Sequence, residues 1–395
     1  AAIAIGIIVM LIAIATGTGL QQKIRDKAVA FNGHVTITNF DSNTSEESQF
    51  PISINQEFYP EFKDIQGINH VQAIANKFGL IRTETDFEGV VMKGVGTDYS
   101  WSYFEEFLID GKLPSYSETM NNDVLISQYL AKRLGFKVGD SFQIFFMKDD
   151  TSKPPFLRKF DIVGIFNSGF QELDQTYFIG DIKHVQRLNK WKPDQIGNFE
   201  VFIDDYNNLS AIGDQIYKST PSTLNTMTVA DKYASIFEWI KIFENNISGI
   251  IGIMIIVAGI NMITALLVLI LERTQMIGIL KALGADNWSI RKIFLYNAFY
   301  LVARGLFWGN LIGLTILLGM FWGNVIGLGL LFAQQQFGLF PLNPEVYYVT
   351  QAPVYINFGY ILTLNIGTFV LCMLMLLVPS YVISKISPVK AMRFE

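Results

Sequence analysis

Residues 272–285 read ERTQMIGILKALGA and separate two long apolar runs. The run before them, 246–271, contains no Asp, Glu, Lys or Arg, and the next apolar run begins at residue 293. A short polar-flanked segment between two such runs is typical of a loop that joins two membrane helices.

The loop carries an apolar face of its own. Five of its residues fall largely along one side of a short helix, namely Met276, Ile277, Ile279, Leu280 and Leu283. Gly284 and Ala285 predict the end of that helix. The face either lies on lipid headgroups as an interfacial helix or docks into a soluble partner, and we favour docking.

Apolar residues gather in four runs, 1–20, 246–271, 293–333 and 357–378. Three of these runs carry no charge and the third run has only Arg304. Since a bilayer-spanning helix needs about 20 apolar residues, we predict four transmembrane helices. Residues 21–245, between the first two helices, have the composition of a large soluble domain. Ala1 lies inside an apolar run, so we expect natural sequence upstream of it.

Charge predicts the orientation. The 272–292 loop has four Lys or Arg against two Asp or Glu, and the 379–395 tail has three against one. Short basic segments stay in the cytoplasm, whereas long domains cross regardless of charge. Residues 21–245 have a net charge of −9. The domain and the 334–356 loop are therefore placed outside, and the 272–292 loop and the tail inside.

The external domain has the pattern of an α+β fold. Period-two and apolar segments predict strands over 34–38, 71–78, 87–93, 142–147, 160–166, 176–179, 199–203 and 224–229. Helical patterns cover 56–65, 101–108, 126–134, 182–188 and 209–218. KDDTSKPP, 148–155, predicts a hairpin tip. Residues 21–33 and 230–245 predict helical stalks at the two ends of the domain.

The third apolar run contains a near-copy of itself, since FWGNLIGLTILLGM (307–320) is followed by FWGNVIGLGLLFAQ (321–334). Glycines at four-residue spacing favour close helix contacts in lipid, and they are Gly305, Gly309, Gly313, Gly319, Gly323 and Gly327. A 41-residue helix would be about 61 Å long at 1.5 Å per residue, twice the hydrocarbon thickness of about 30 Å. The helix therefore protrudes, kinks or breaks.

Asn261 and Thr264 are polar residues within the second span. Polar groups at that depth face other helices or a cavity. Helix-to-helix hydrogen bonding is the favoured role, and contact with a transported substrate is the alternative.

Sequence signatures of catalysis are absent. The chain has no GxxxxGK[ST] phosphate loop, no HExxH or nucleophile elbow, and three isolated His residues without zinc spacing. The acidic domain argues against nucleic-acid binding. We expect no catalytic residue, no metal site and no cofactor in this chain.

Four motifs carry a resemblance to a known family: ERTQMIGILKALGA, IRKIF (290–294), LNPEVYYVTQAPV (342–354) and ISPVKAMR (386–393). Together with one span, a large external domain and three further spans, they resemble the permeases of the FtsX/MacB type. Within that group the closing part resembles the lipoprotein-releasing permeases LolC and LolE. The long third span departs from the family pattern.

The resemblance implies a MacB-type mechanotransmission permease in the inner membrane of a Gram-negative bacterium. ATP and Mg would be bound by a separate dimer of a LolD-like ATPase. A second permease chain would complete the pore, as a homodimer or a LolC/LolE heterodimer. Lipoproteins would pass from the membrane to a LolA-like periplasmic carrier. The coupling residues implied are Glu272, Arg273, Met276, Ile277, Ile279, Leu280, Lys281, Leu283 and Gly284.

The family's carrier-binding hook matches the hairpin tip here, with Lys148, Asp149, Asp150, Pro154 and Pro155. This tip is shorter than the family's hook, so a plain connecting hairpin is the alternative. Tyr347 and Tyr348 match an aromatic site near the lipid-binding mouth, although aromatic residues at this level also serve as interfacial anchors. The implied lipoprotein path thus joins this site to Asn261 and Thr264.

Two other functions compete with lipoprotein release. One is a MacB-like efflux permease for peptides or toxins, which the absence of a fused ATPase disfavours. The other is an FtsX-like signalling permease that regulates a cell-wall hydrolase and transports nothing. The external domain is large for that second group.

Overall fold

The computed structural model describes residues 2–41, 49–83, 86–147, 154–325, 357–377 and 380–381. These residues form two compact units. Residues 22–237 form an α+β unit, and the described parts of 1–21, 238–341 and 352–395 form a helical unit. The predicted inserted α+β domain is confirmed.

The described helices are α1 Ala2–Asn32, α2 Gln128–Leu134, α3 Gln171–Thr176, α4 Ile182–Asn189, α5 Leu209–Ser219, α6 Val229–Lys232, α7 Ala234–Glu272, α8 Thr274–Ala282, α9 Asn287–Val325 and α10 Phe358–Met375. The described strands are β1 Val35–Asn39, β2 Ile52–Ser53, β3 Ile68–Arg82, β4 Phe87–Val95, β5 Leu108–Gly111, β6 Asp123–Ser127, β7 Ser141–Phe146, β8 Phe156–Phe166, β9 Tyr177–Asp181, β10 Gln195–Ile196, β11 Asn198–Ile203 and β12 Leu224–Thr228.

One large sheet organises the α+β unit, in the order β12-β1-β11-β3-β4-β9-β6-β8-β5, with β7 paired to β3 and β8. Among the described strand pairs of this sheet, only β4–β9 and β6–β8 are parallel. The predicted hairpin is confirmed, because β7 and β8 pair antiparallel from Phe146↔Phe156 to Ser141↔Asp161. Residues 148–153 of its tip lie outside the described residues.

Two predicted helices are wrong. Residues 56–65 form turns and bends, and Pro60 inside them has no backbone N–H for a helix. Residues 101–108 form two short 3₁₀ turns, Trp101–Tyr103 and Glu105–Phe107, that lead into β5.

The predicted helix over 126–134 begins later than expected. Ile126 is fully inside β6, and Ser127 is the N-cap of α2, where its hydroxyl accepts the N–H of Leu130 at 3.1 Å. Ser is a preferred N-cap because it satisfies one of the free N–H groups of the first turn. The apolar residues before Ser127 therefore belong to a buried strand.

The helical unit has its own core, formed by residues of α1, α7, α8, α9 and α10. Among the described residues, α7 and α10 are long and apolar enough to cross a membrane by length and composition. α9 is one unbroken 39-residue helix that contains the first half of the repeat. Residues 326–356, with Gly327 and the rest of the repeat, lie outside the described residues, so the four-span count stays a prediction.

A layer of buried polar side chains lies on one face of the large sheet. The Lys93 ammonium is 2.7 Å from Oε1 of Glu200, and Gln72 donates its amide to Oε2 of the same carboxylate at 2.8 Å. All three residues are at most 1 % exposed. Lys93 also donates to the carbonyl of Phe31 at 2.5 Å, so the ion pair holds the last turn of α1.

Residues 23–31 of α1 belong to the α+β unit and contact the rest of it along one stripe. Lys23 forms a half-exposed ion pair with Glu106 at 2.9 Å. One turn later Lys27 is buried, and burial lowers its pKa to about 8, an effect that the Asp174 carboxylate partly offsets. Phe31 follows after another four residues, and such spacing places all three on one helix face. Burial of the contacts thus increases toward the end of α1.

Lys93→Met should destabilise the α+β unit by about 3–5 kcal/mol, because it leaves the Glu200 carboxylate buried without its cation. The double variant Lys93→Met with Glu200→Gln should lose less stability than Lys93→Met alone, since no buried charge is then left unpaired. Hydrogen exchange of β4 and β11 in the purified full-length protein measures both effects. An equal loss of protection in the single and the double variant would contradict this account.

His34 connects the end of α1 to the sheet. Its Nδ1 accepts the N–H of Ile203 at 3.1 Å, and its carbonyl accepts the N–H of Val229 at 2.9 Å. Burial lowers the pKa of the ring to about 4. A neutral Nδ1 is needed to accept the Ile203 N–H, so the folded unit holds His34 neutral.

The His34 pKa predicts a loss of stability in acid. The unfolded chain takes up the proton near pH 6.5 and the folded protein only near pH 4, so stability should fall as the pH drops through this window. The full difference in the His34 pKa corresponds to roughly 3 kcal/mol of folding stability, at about 1.36 kcal/mol per pKa unit. His34→Asn, whose Oδ1 can accept the Ile203 N–H, should remove this part of the pH dependence. Denaturant unfolding of both proteins at pH 7 and pH 4 measures it, and parallel curves would refute the assignment.

Candidate functional site

The predicted loop helix is present as α8, and the local sequence explains both of its ends. The hydroxyl of Thr274 donates to the carbonyls of Ile270 and Leu271 at 3.0 and 2.8 Å. Gly284 has φ +92°, a conformation that costs glycine little, and the N–H of Ala285 then bonds to the carbonyl of Leu280 at 2.9 Å. This arrangement ends the helix as the Gly-Ala pair predicted.

Asp286 begins the next helix. Its carboxylate accepts the N–H groups of Trp288 and Ser289, both at 3.1 Å. Hydrogen bonds from Ser289 lower the pKa of this exposed carboxyl. The connection between α8 and α9 is therefore short and has a defined conformation at both ends.

The apolar face of α8 is divided between two directions. Ile277 is fully buried in the core of the helical unit, and Leu280 packs partly against that core. Met276, Ile279 and Leu283 are instead 38 %, 48 % and 80 % exposed. Their spacing of three and four residues places them on one stripe, which we call the outer stripe.

Charged residues flank the outer stripe. Glu272 and Arg273 are exposed at the start of the helix. Lys281 is half-buried, and its pKa is lowered by burial and by the nearby Arg291 cation. An exposed apolar stripe with charged ends has the composition of a surface for a partner.

A cavity of about 360 Å³ lies in the helical unit among α1, α7 and α10. Hydroxyl, amide and carboxyl groups from all three helices share its lining with isoleucine and leucine side chains. The lining residues are Ile14, Thr18, Gln21, Glu244, Ile247, Ser248, Ile251, Ile255, Tyr360, Thr363, Leu364, Gly367 and Thr368. Sequence reasoning missed this cavity, because its polar residues are scattered over three helices.

The two polar residues predicted within the second span lie elsewhere on α7. Asn261 and Thr264 are exposed and do not line the cavity. Thr264 bonds to the carbonyl of Ile260 at 3.1 Å. Tyr347 and Tyr348 lie outside the described residues, so the implied lipoprotein path through these four residues stays a prediction.

The proposed carrier-binding hairpin is only partly within the described residues. Pro154 and Pro155 are exposed at the start of the returning chain, just before β8. Lys148, Asp149 and Asp150 lie outside the described residues.

Close helix packing occurs at sites that the glycine spacing did not single out. Gly17 of α1 faces Ile247 of α7 so closely that a Cβ at position 17 would overlap its side chain. Between α9 and α10, Asn365 donates its amide to Asn310 at 2.9 Å and accepts one in return. In the predicted glycine row, Gly309 is buried and Gly305 is half-buried. Gly313, Gly319 and Gly323 belong to the backbone of α9.

Comparison with known families matches both units. The FtsX-like permease C-terminal family matches residues 248–388, and the MacB-like periplasmic core domain matches residues 1–218. The chain belongs to the FtsX/MacB-like permeases. It is therefore a membrane subunit of an ABC-type transporter, with a periplasmic or extracellular domain, and is not itself catalytic. Membership in this family implies a partner ATPase.

Individual relatives are similar over the full length. The chain is 22 % identical to the lipoprotein-releasing system transmembrane protein LolC of Neisseria meningitidis serogroup B, over 100 % of this chain and 93 % of that protein. It is 20 % identical to LolE of Haemophilus influenzae, over 99 % and 92 %. Among solved structures, the periplasmic region of MacB from Actinobacillus actinomycetemcomitans is similar at 15 % identity, with a TM-score of 0.35, over 51 % of this chain and 91 % of that one.

Proposed function

We propose that this chain is a permease subunit that extracts lipoproteins from the inner membrane of a Gram-negative bacterium and passes them to a periplasmic carrier. The observation that carries the proposal is the similarity over the whole chain to LolC and LolE proteins, at 20–22 % identity. The work would be supplied by a LolD-like ATPase dimer that binds ATP and Mg. A second permease chain and a LolA-like carrier would complete the pathway.

The outer stripe is the proposed contact with the ATPase. Met276, Ile279 and Leu283 would fill an apolar groove on that partner, and Glu272 and Arg273 would make polar contacts at its rim. Ile277 and Leu280 would have a different role, because they hold α8 against its own chain. A displacement of the outer stripe by the ATPase would thereby be transmitted to the core of the helical unit.

Mutation of the outer stripe should separate ATPase binding from folding. Ile279→Asp should abolish copurification of the ATPase, because it places a charge in the apolar contact. Ile277→Asp should instead impair folding of the permease. Ile242→Asp, at an isoleucine of α7 that is 58 % exposed against 48 % for Ile279, is the matched control and should leave ATPase binding intact. Copurification from membranes provides the measurement, and unchanged binding by Ile279→Asp would remove the assignment.

Depletion of the protein tests the transported substrate. Lipoproteins destined for the outer membrane should accumulate in the inner membrane fraction, because their release would stop. Membrane fractionation followed by detection of one such lipoprotein is the measurement. Normal sorting combined with loss of drug or toxin export would favour a MacB-like efflux permease. Normal sorting combined with a cell-wall hydrolase defect would favour the FtsX-like signalling role.

A further inference from the structure

The cavity among α1, α7 and α10 is amphipathic along its length. Gln21, Glu244 and Tyr360 line it where these helices meet the outer end of the apolar runs. Ile251, Ile255 and other apolar residues line it deeper along the same helices. On α7 the lining extends from residue 244 to residue 255, which is about 16 Å at 1.5 Å per residue. The cavity thus reaches from the outer interface into the outer half of the bilayer.

An unsatisfied hydroxyl in the lining points to a bound molecule. Thr368 is fully buried, and its Oγ1 has no hydrogen-bond partner. Threonines of membrane helices commonly bond to a carbonyl one turn back, as Thr363 does to Gly359 at 2.9 Å and Thr18 does to Ile14 at 2.8 Å. A buried hydroxyl without a partner costs free energy. A ligand carbonyl in the cavity would remove that cost once the Thr368 side chain rotates its hydroxyl toward the cavity.

The mouth of the cavity adds a charge. Glu244 lies two residues before the charge-free run of α7, and it forms no ion pair within the part of the chain that the structure describes. A carboxylate at the level of the headgroups favours a cationic or hydrogen-bond-donating head. The lining therefore offers an anion at the mouth and, deeper, an apolar channel beside which the Thr368 hydroxyl lies, eight residues beyond Tyr360 on α10.

We propose that this cavity is a binding site for one membrane phospholipid with a primary-amine head, of the phosphatidylethanolamine class. The amine contacts the carboxylate of Glu244, an ester carbonyl accepts the hydroxyl of Thr368, and one acyl chain lies along Ile251 and Ile255. A volume of about 360 Å³ is at the lower end of the range of about 300–1,000 Å³ for ligand sites. That size suits part of one lipid better than a triacylated peptide. The proposal is independent of the substrate that the transporter carries.

Photolabelling tests the proposal on the intact complex. The full-length permease, with its partner permease and ATPase, is reconstituted in nanodiscs that contain a trace of phosphatidylethanolamine with a photoactivatable acyl chain. Crosslinks mapped by mass spectrometry should concentrate on the cavity-lining segments of α7 and α10. Phosphatidylglycerol with the same acyl chain should label them less, and Glu244→Gln should abolish that difference.

Two glycines provide a matched pair of variants. Gly367 lines the cavity and Gly252 does not, and neither has a neighbouring atom within 4 Å of an added Cβ. Gly367→Leu should reduce labelling about tenfold, the factor that corresponds to 1.4 kcal/mol of binding free energy. Gly252→Leu should leave labelling unchanged. Thr368→Val, which keeps the side-chain shape, should also reduce labelling. It provides a second test of the site if Gly367→Leu fails to fold.

Three results would overturn the proposal. Equal labelling of the wild type and Gly367→Leu would indicate ordinary boundary lipid. Loss of labelling on addition of a triacylated cysteinyl peptide would assign the cavity to the transported lipoprotein. Labelling only in the absence of the second permease would show that a protein helix covers the cavity. Lipoprotein sorting in cells is measured separately. A negative result for the lipid site therefore does not decide the proposed transport function, which depends on the sorting experiment alone.

Discussion

A positive charge buried at the end of α1 determines how the α+β unit is built. The last carbonyls of a helix have no partner within the helix and carry the negative end of its dipole. When that end is covered by a sheet, a donor has to come from the sheet, and Lys93 supplies it to Phe31. The buried ammonium then requires Glu200, and the second oxygen of Glu200 requires Gln72.

The chain of hydrogen bonds continues from the buried side chains toward the surface of the unit. The carbonyl oxygen of the Gln72 side chain accepts the N–H of Ser100 at 2.9 Å, which fixes the loop after β4. One hydrogen-bonded network thereby connects a helix end, three central strands and a loop. Because Lys93, Glu200 and Gln72 are buried and each depends on the next, the last turn of α1 is held on the sheet in a single arrangement. The exposed pair of Lys23 and Glu106 adds little to this attachment, since exposed ion pairs contribute at most about 1 kcal/mol.

A second constraint is the shortness of α8. Its nine residues have to pack against their own chain with one side and present the outer stripe with the other. Ile277 and Ile279 differ by two positions, so they point in directions about 200° apart on the helix. A displacement of the outer stripe therefore moves the buried side as well. The left-handed Gly284 and the capping Asp286 keep the following connection from absorbing that displacement.

Much of the fold was predictable because its patterns are local. The strands over 87–93 and 199–203 correspond to β4 and β11 within two residues at each end, since their apolar character and β-branched residues are strong signals. The helix predicted over 56–65 is wrong because the helical spacing of apolar residues there gives no indication of the turns around Pro60. Ile126 was misassigned because a fully buried strand and a buried helix segment share one apolar pattern.

The candidate site was predictable to a smaller extent. The existence and both ends of α8 follow from its sequence, but the division between Ile277 and the outer stripe depends on where the other helices pack. The buried Lys93 gives no sign in the sequence, because only the pairing of β4 and β11 with the two edges of β3 brings it to Glu200. Thr368 likewise differs from Thr363 only in its surroundings. Properties that arise from long-range packing were therefore beyond local patterns.

The amide pair of Asn310 and Asn365 has a consequence for how α9 can slide. Moving α9 by one residue would turn position 310 by about 100° and leave both amides in a medium without water to replace their bonds. The pair therefore fixes the register of α9 against α10.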